Sequence, residues 1–256
     1  MSRQIKYIVG SYFDEFAKSR NVMTCTEFVE SIKNEELNHS VKYVFGQGIS
    51  PDRISEIIDT AEKKNFMHLL HMDDLLQAGQ ELTHKRVRKN IMITSPVMIS
   101  ENLYRASLRL DHPAELHDHL TGKHIPGMVL NEAARQMFIA VSEKFFNRDE
   151  NGDRMDYYFV INDFKSEYLR FVFPTTVLIT YRIKSHKKRK NGALAFEVET
   201  AFFQALGKCV YKSEIKFSMY DYRYLNPIEA KIADESLYSE PAKSGMPPEY
   251  AEFCFP

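Results

Sequence analysis

MVLNEAARQMFIAVSEKFF, residues 128–146, is the one long helical pattern in the last two-thirds of a 256-residue chain, and the segments around it read as β. Val129, Ala133, Met137, Ala140 and Val141 fall along one face at 3.6-residue spacing. Apolar residues recur on the other faces as well, so the spacing predicts a helix wrapped by its own chain. Long β segments precede it at 87–100 and 102–111. Others follow at 157–164 and 176–185, and in the pair ALAFEVETAFFQA and KCVYKSEIKFSMYD, joined around Gly207. A single helix must therefore cover the apolar face of roughly five antiparallel strands.

That order selects an α+β architecture in which the antiparallel sheet curls around one buried helix, the hotdog fold. A ferredoxin-like alternative needs a second helix between the later strands, and the sequence offers none. Residues 1–82 have a different grammar. The phrases IKYIVG (5–10) and VKYVFGQG (41–48) read as buried strands closed by glycine, with FMHLLH (66–71) as a third. Thr26 is placed to cap a helix through EFVESIKN, and Ser50 with Pro51 to start another. Strand and helix alternate here, which predicts a small β/α unit with a parallel sheet. The segment MDDLLQAGQELTH reads as a helical connector. The expected divisions are a β/α unit over 1–82, a hotdog domain over 83–222 and an extended, Pro-rich tail over 223–256.

Composition narrows the function. Hydrophobic residues make up 44% of the chain and aromatics 12%, enough for a core without covalent staples. Lys plus Arg number 34 against 35 Asp plus Glu, so no global field draws nucleic acid or an anionic membrane. Three widely spaced cysteines argue against a disulfide framework and a thiolate zinc site. No signal segment and no membrane-length apolar run occurs, and the reading is a soluble cytoplasmic protein. GQGISPD holds only a G-x-G and puts Pro51 where a dinucleotide loop wants glycine, so nucleotide binding there is weakly supported. NRDENGDRMD lacks the spacing of a calcium loop and reads as a polar turn. KSHKKRKN (184–191) reads as a solvated hairpin loop, with docking of an acidic partner protein as its functional alternative.

The chemistry-bearing stretch is HDHLTGKHIPGMVLNEAARQ, residues 117–136. Pro126 and Gly127 turn the chain sharply into the long helix, leaving the first N–H groups, those of Gly127 and Met128, to meet a developing negative oxygen. Glu132 lies little more than a turn further on, while His117, His119 and His124 lie on the loop upstream. A neutral-range histidine and a carboxylate in one cleft are the minimum kit for moving a proton. Arg135 and Gln136 are candidate substrate contacts, though Arg135 equally suits pairing with an acidic neighbour. The His spacing does not favour a metal site, and none is expected.

This stretch resembles two known families. The bacterial 3-hydroxyacyl-carrier-protein dehydratases, which are hotdog proteins, carry H-F-P-G, then P-G-V-L, then E-A-x-A-Q; here HLTG, PGMVL and NEAARQ stand in that order, with one residue fewer before the Pro-Gly. The match is closer to the A-factor biosynthesis family, whose pattern H-x-P-G-M-x-L-x-E-A-A-R-Q is met by HIPGMVLNEAARQ (124–136), and whose His-Lys strand opening is met by THKRVRKNIMIT (83–94). The resemblance covers about residues 83–220. It implies transfer of a β-ketoacyl group from acyl carrier protein or CoA to a hydroxyl acceptor in synthesis of a γ-butyrolactone-like signal. His119 then matches the dehydratase histidine and Glu132 the helix carboxylate, with His119 or His124 facing the substrate. The acyl-phosphopantetheine thioester is a substrate, and no cofactor is implied. Dehydration or hydrolysis of such a thioester, and non-catalytic acyl or lactone binding, are the alternatives. The family's synthases carry two hotdog domains where this chain has one, so a homodimer through the sheet edge, with sites at the interface, is expected.

Overall fold

The computed structural model describes residues 4–111, 122–148 and 151–238. The expectations for His117 and His119 lie outside these residues.

The amino-terminal unit runs β1 (Gln4–Val9), α1 (Asp14–Ala17), β2 (Val22–Thr24), α2 (Cys25–Lys33), β3 (Val41–Phe45), α3 (Pro51–Lys63) and β4 (Leu70–His71). Its four strands are all parallel, in the order β2-β1-β3-β4. Thr24, rather than Thr26, caps α2: its hydroxyl accepts from Glu27 N while the Glu27 carboxylate accepts from Thr24 N, a reciprocal box. Ser50 and Pro51 open α3 as expected. Phe28, Ile32, Ile54 and Ile57 bury the inner faces of both helices against the sheet. The expected third strand shrinks to two residues, because Met67–Leu69 tighten into a 3-10 turn that seats Leu69 in the core.

The connector forms only one helical turn, α4 (Gln80–Thr83). Ahead of it Gln77 bridges to Thr94, and Ala78 is already part of the second core. The second sheet comprises β5 (Val97–Ser100), β6 (Leu103–Ser107) and, after the long helix α5 (Gly127–Phe145), β7 (Tyr157–Tyr168), β8 (Leu178–Lys188), β9 (Leu194–Gln204) and β10 (Lys208–Asp221). The order is β5-β6-β8-β9-β10-β7, antiparallel throughout. α5 is buried along almost its whole length, from Val129 to Ser142, against Tyr181, Phe202, Ile215 and Phe217 on the concave face. Phe138 stacks on Phe217 with ring centroids 4.4 Å apart. Most of the basic run at 184–191 is the exposed end of β8, and only its close, where Arg189 N donates to Ala193 O, is a turn.

The expectation of extended chain from 223 is corrected over the described residues. Tyr222–Tyr238 is a helix, α6, with Pro227 inside it. Leu225, Ile228 and Ile232 repeat at helical spacing there, a signal the prolines further on outweighed in the sequence reading.

The two units are sutured through the glycine-rich loop after β3. Gln47, 2% exposed, donates from Nε2 to Leu108 O and Thr175 O and accepts from Leu110 N, while its own N–H donates to Pro174 O. Arg109 donates to Gly46 O at 2.8 Å. G-Q-G is thus a structural seam, since the side-chain amide and the backbone N–H of Gln47 are all engaged by backbone of the neighbouring unit, while its carbonyl accepts from Gly10 N of its own unit.

Candidate active site

Pro126 occupies the cap position of α5 with extended backbone (ψ 140°) and supplies no side-chain hydrogen bond, and the first turn holds no acidic residue. The N–H groups of Gly127 and Met128 accordingly have no partner among the described residues, none of which caps the positive end of this nineteen-residue helix. Gly127 is required for close approach: a Cβ there would lie 2.7 Å from Tyr168 Cε1. The helix tip thereby abuts the end of β7.

A cleft of about 440 Å³ opens at this point, walled by His124, Gly127, Leu130, Tyr168, Arg170 and Phe171. Ile125 N donates to Val172 O and pins the loop that carries His124, whose ring lies 5.0 Å from that of Phe171. Phe171 is 70% exposed and forms part of the apolar wall of the cleft. Next in the chain after Leu130, Asn131 accepts a hydrogen bond from Tyr211 Oη at 2.8 Å, and burial pushes the Tyr211 phenol up to about 12.

The other candidate residues on α5 face a different way. Glu132 Oε2 accepts from Arg135 Nε at 2.8 Å. Its Oε1 accepts from Arg135 NH2, from Gln136 Nε2 and from Lys85 Nζ at 2.7 Å. Burial alone would raise this carboxyl; hydrogen bonds from Arg135, Lys85 and Gln136 outweigh it and hold the pKa down at about 2. Gln136, fully buried, clamps residues 90–92 by donating to Asn90 O and accepting from Met92 N. Met128 is 60% exposed. The structure therefore brings His124 and Gly127 together in one cleft and places Glu132, Arg135 and Gln136 in a separate clasp around Lys85. Glu132 and His124 do not meet within the described chain.

Sequence reasoning missed Tyr168, Arg170 and Phe171 as cleft walls, and a second ionisable cluster at the far end of α5. There Glu143 contacts His84 at 2.8 Å and Arg154 at 3.1 Å. The His84–Lys85 dipeptide was the available signal, since its two side chains reach two carboxylates of α5. Among the described residues no group of three or more His, Cys, Asp or Glu is arranged to hold a metal, and no helix is long and apolar enough to cross a membrane.

A six-stranded antiparallel sheet curled about one long helix, with an uncapped helix tip opening on a cleft, defines a hotdog protein. The model of the A-factor biosynthesis hotdog domain matches residues 71–220, more than half of the chain, and the protein belongs to that family. Solved structures similar to it include a conserved protein of Pseudomonas aeruginosa, 21% identical, covering 58% of this chain and 98% of that one with a TM-score of 0.36. A Haemophilus influenzae thioesterase is 13% identical, with coverages of 49% and 77% and a TM-score of 0.35. A Streptococcus mutans protein bound to acetyl CoA is 12% identical, with 53% and 94% covered and a TM-score of 0.38. No curated protein matches the chain.

Proposed function

We propose that the protein transfers a β-ketoacyl group from acyl carrier protein or CoA to a hydroxyl acceptor, in the making of a γ-butyrolactone-like small molecule. The observation that carries this reading is the bare tip of α5, with Gly127 at its start, set in an apolar cleft in a member of this family. The thioester carbonyl sits against the Gly127 and Met128 N–H groups, which oppose the charge that grows on its oxygen as the acceptor attacks. Leu130, Tyr168 and Phe171 hold the acyl chain, and Arg170 draws the anionic arm of the carrier. His124, on the loop entering the helix, is the proton carrier at this end, a role the motif alternatively gives to His119. Glu132, locked as a carboxylate by Arg135 and Lys85, keeps the segment after α4 fastened to the helix. A carboxyl held at about 2 is poorly suited to protonate a leaving hydroxyl, which favours transfer over dehydration.

The test is purified protein given a β-ketoacyl-CoA with glycerol 3-phosphate, followed by thiol release and mass spectrometry of the acceptor. Acylated acceptor is the expected product. Gly127→Val, whose side chain must collide with Tyr168, is expected to lower turnover by about 100-fold or more with the fold retained. Release of thiol and free acid without acylated acceptor would make this a thioesterase; no reaction at all would leave acyl or lactone binding.

We also propose a homodimer paired along β7, which ends the sheet and has no strand beyond it among the described residues. Asp163 and Lys165 share its outer face, 41% and 73% exposed. Under a two-fold axis near Phe164 each aspartate meets the partner copy's lysine, so the edge is complementary to itself. Lys165→Glu is expected to weaken self-association about tenfold, read by sedimentation velocity, and the swap Asp163→Lys with Lys165→Glu to restore it. A mass unchanged by the single substitution would move the interface elsewhere.

A further inference from the structure

The cluster at the far end of α5 is built like a proton-handling site. Glu143, its side chain only 3% exposed, faces His84 Nε2 at 2.8 Å and Arg154 NH2 at 3.1 Å, and Asn147 Nδ2 also donates to it. Burial works to raise this carboxyl, but the hydrogen bonds from His84, Asn147 and Arg154 bring it below its ordinary value, so it is ionised. A carboxylate only accepts hydrogen bonds. Nε2 of His84 must then be the donor to it, which leaves Nδ1 as the ring nitrogen turned away from Glu143. Nδ1 has no partner among the described residues. His84 lines a cleft of about 300 Å³ with Arg154, Asp156, Tyr157 and Tyr222. Its backbone is left-handed (φ 51°, ψ 41°), a conformation rare outside glycine, and its ring stands edge-on to Phe159 at 5.2 Å. An oriented imidazole with a vacant basic nitrogen, backed by a buried carboxylate and flanked by a cation, suits a ligand that brings a hydroxyl.

We infer that His84 and Glu143 are the base that activates the acceptor hydroxyl, and that they act on a thioester held by the second copy of the chain. The inference rests on the acyl-transfer and dimer readings above. Within one chain the two clefts stand at opposite ends of α5, about 24 Å apart at 1.5 Å per residue, too far for one reaction. β7 begins at Tyr157, on the His84 cleft, and ends at Tyr168, on the thioester cleft. Two copies joined edge to edge by a two-fold axis pair antiparallel, so the Tyr157 end of one lies beside the Tyr168 end of the other. Each reaction centre then takes its helix tip from one copy and its base from the partner. The acceptor O–H proton passes to His84 Nδ1, and the imidazolium is steadied by Glu143. The oxygen bonds the carbonyl carbon, the C–S bond breaks, and the sulfur leaves as thiol with a proton from His124, which lines the thioester cleft. The imidazolium then returns its proton to that histidine through water, and an ester and a thiol are the products.

His84→Asn tests this, because asparagine tolerates left-handed backbone and still donates to Glu143 but cannot take up a proton. Acyl transfer is expected to fall about 100-fold or more with acyl-CoA binding, read by calorimetry, unchanged. Mixing His84→Asn with Gly127→Val, each inactive alone, is expected to restore roughly a quarter of wild-type activity: half the dimers are mixed, and each has one intact centre of two. Undiminished transfer by His84→Asn overturns the inference, and a mixture that stays inactive overturns the arrangement across copies. A further readout needs no turnover. In the wild-type protein the ¹⁵N signal of His84 Nδ1 is expected to shift on addition of glycerol 3-phosphate; a signal unmoved at saturating concentration defeats the inference even if the thioester chemistry above is confirmed. If that signal shifts while no acylated product forms, the acyl-transfer reading fails and the hydroxyl site stands.

Discussion

Gly10→Ala is expected to destabilise the protein by about 3 kcal/mol or more, and to do so across both units. The added Cβ would lie 1.6 Å from Gly48 O and 2.3 Å from Gly48 C, so backbone rather than a flexible side chain must move. Gly10 N also donates to Gln47 O, tying the end of β1 to the loop that carries the seam. Displacing that loop pulls Gln47 away from Leu108, Leu110 and Thr175, and takes the Gly46 carbonyl from Arg109. Arg109 is 3% exposed, and burial has already lowered its pKa to about 10, so a lost acceptor leaves a desolvated cation poorly matched. The comparison is Gly192→Ala, at a turn where the new Cβ meets nothing within 4 Å and only the left-handed φ of 82° is strained. That change is expected to cost about 1–2 kcal/mol. Urea denaturation of both variants decides the matter. If Gly10→Ala unfolds at the same urea concentration as Gly192→Ala, the close approach does not bear the load assigned to it.

The fold was legible where one physical constraint acted alone. A helix apolar on several faces has to be enclosed, and the alternating segments after it supply the enclosing sheet, so α5 and β7–β10 could be read from the chain. Apolar Leu130, Ala134 and Phe138 lie off the Val129 stripe, and that is what marked the helix as wrapped. Legibility failed where tertiary contacts decide. Val22–Thr24 is too short to announce itself as a strand and exists because β1 offers it a parallel edge. Ile91–Thr94 looks like a continuous strand in sequence, but Gln136 captures Met92 N and Asn90 O, and the chain breaks into bridges. The candidate site divides in the same way. Pro126-Gly127 before an apolar helix states a bare helix tip in local terms, and His124 follows from the loop. Glu132, Arg135 and Gln136 belong to the same run of letters, but a helix turns about 100° per residue, so they point toward Lys85, away from the cleft. Distance along the chain cannot reveal that His84 meets Glu143, fifty-nine residues later.

Glu132→Gln is expected to remove about 3 kcal/mol of stability at neutral pH. The carboxyl falls from an ordinary value of 4.5 to about 2 in the folded protein, and each unit of that difference is worth roughly 1.4 kcal/mol. Its side chain is 15% exposed, with Lys85 and Arg135 at 22% and 31%, so solvent screens the pair little. A depressed carboxylate contributes its stability above the unfolded pKa and loses it on acidification. The wild-type protein should therefore hold this increment above about pH 4.5 and surrender it progressively as pH falls toward 2, whereas the glutamine variant shows no such loss from this position. Stability measured by urea titration at pH 7 and at steps down to pH 3 gives the difference directly: the gap between the two proteins narrows as acid is added. Glutamine leaves Lys85 and Arg135 side by side without their counter-ion, which adds to the loss at neutral pH, and Lys85→Met in the same chain should recover part of it. Turnover per folded molecule separates this anchoring role from a catalytic one. An anchor lost by Glu132→Gln lowers the folded fraction and leaves the surviving molecules within about tenfold of wild type, while a proton-transferring carboxylate would cost them 100-fold or more. A gap that stays constant with pH, together with that larger loss of turnover, would return Glu132 to the chemistry its place in the motif first suggested.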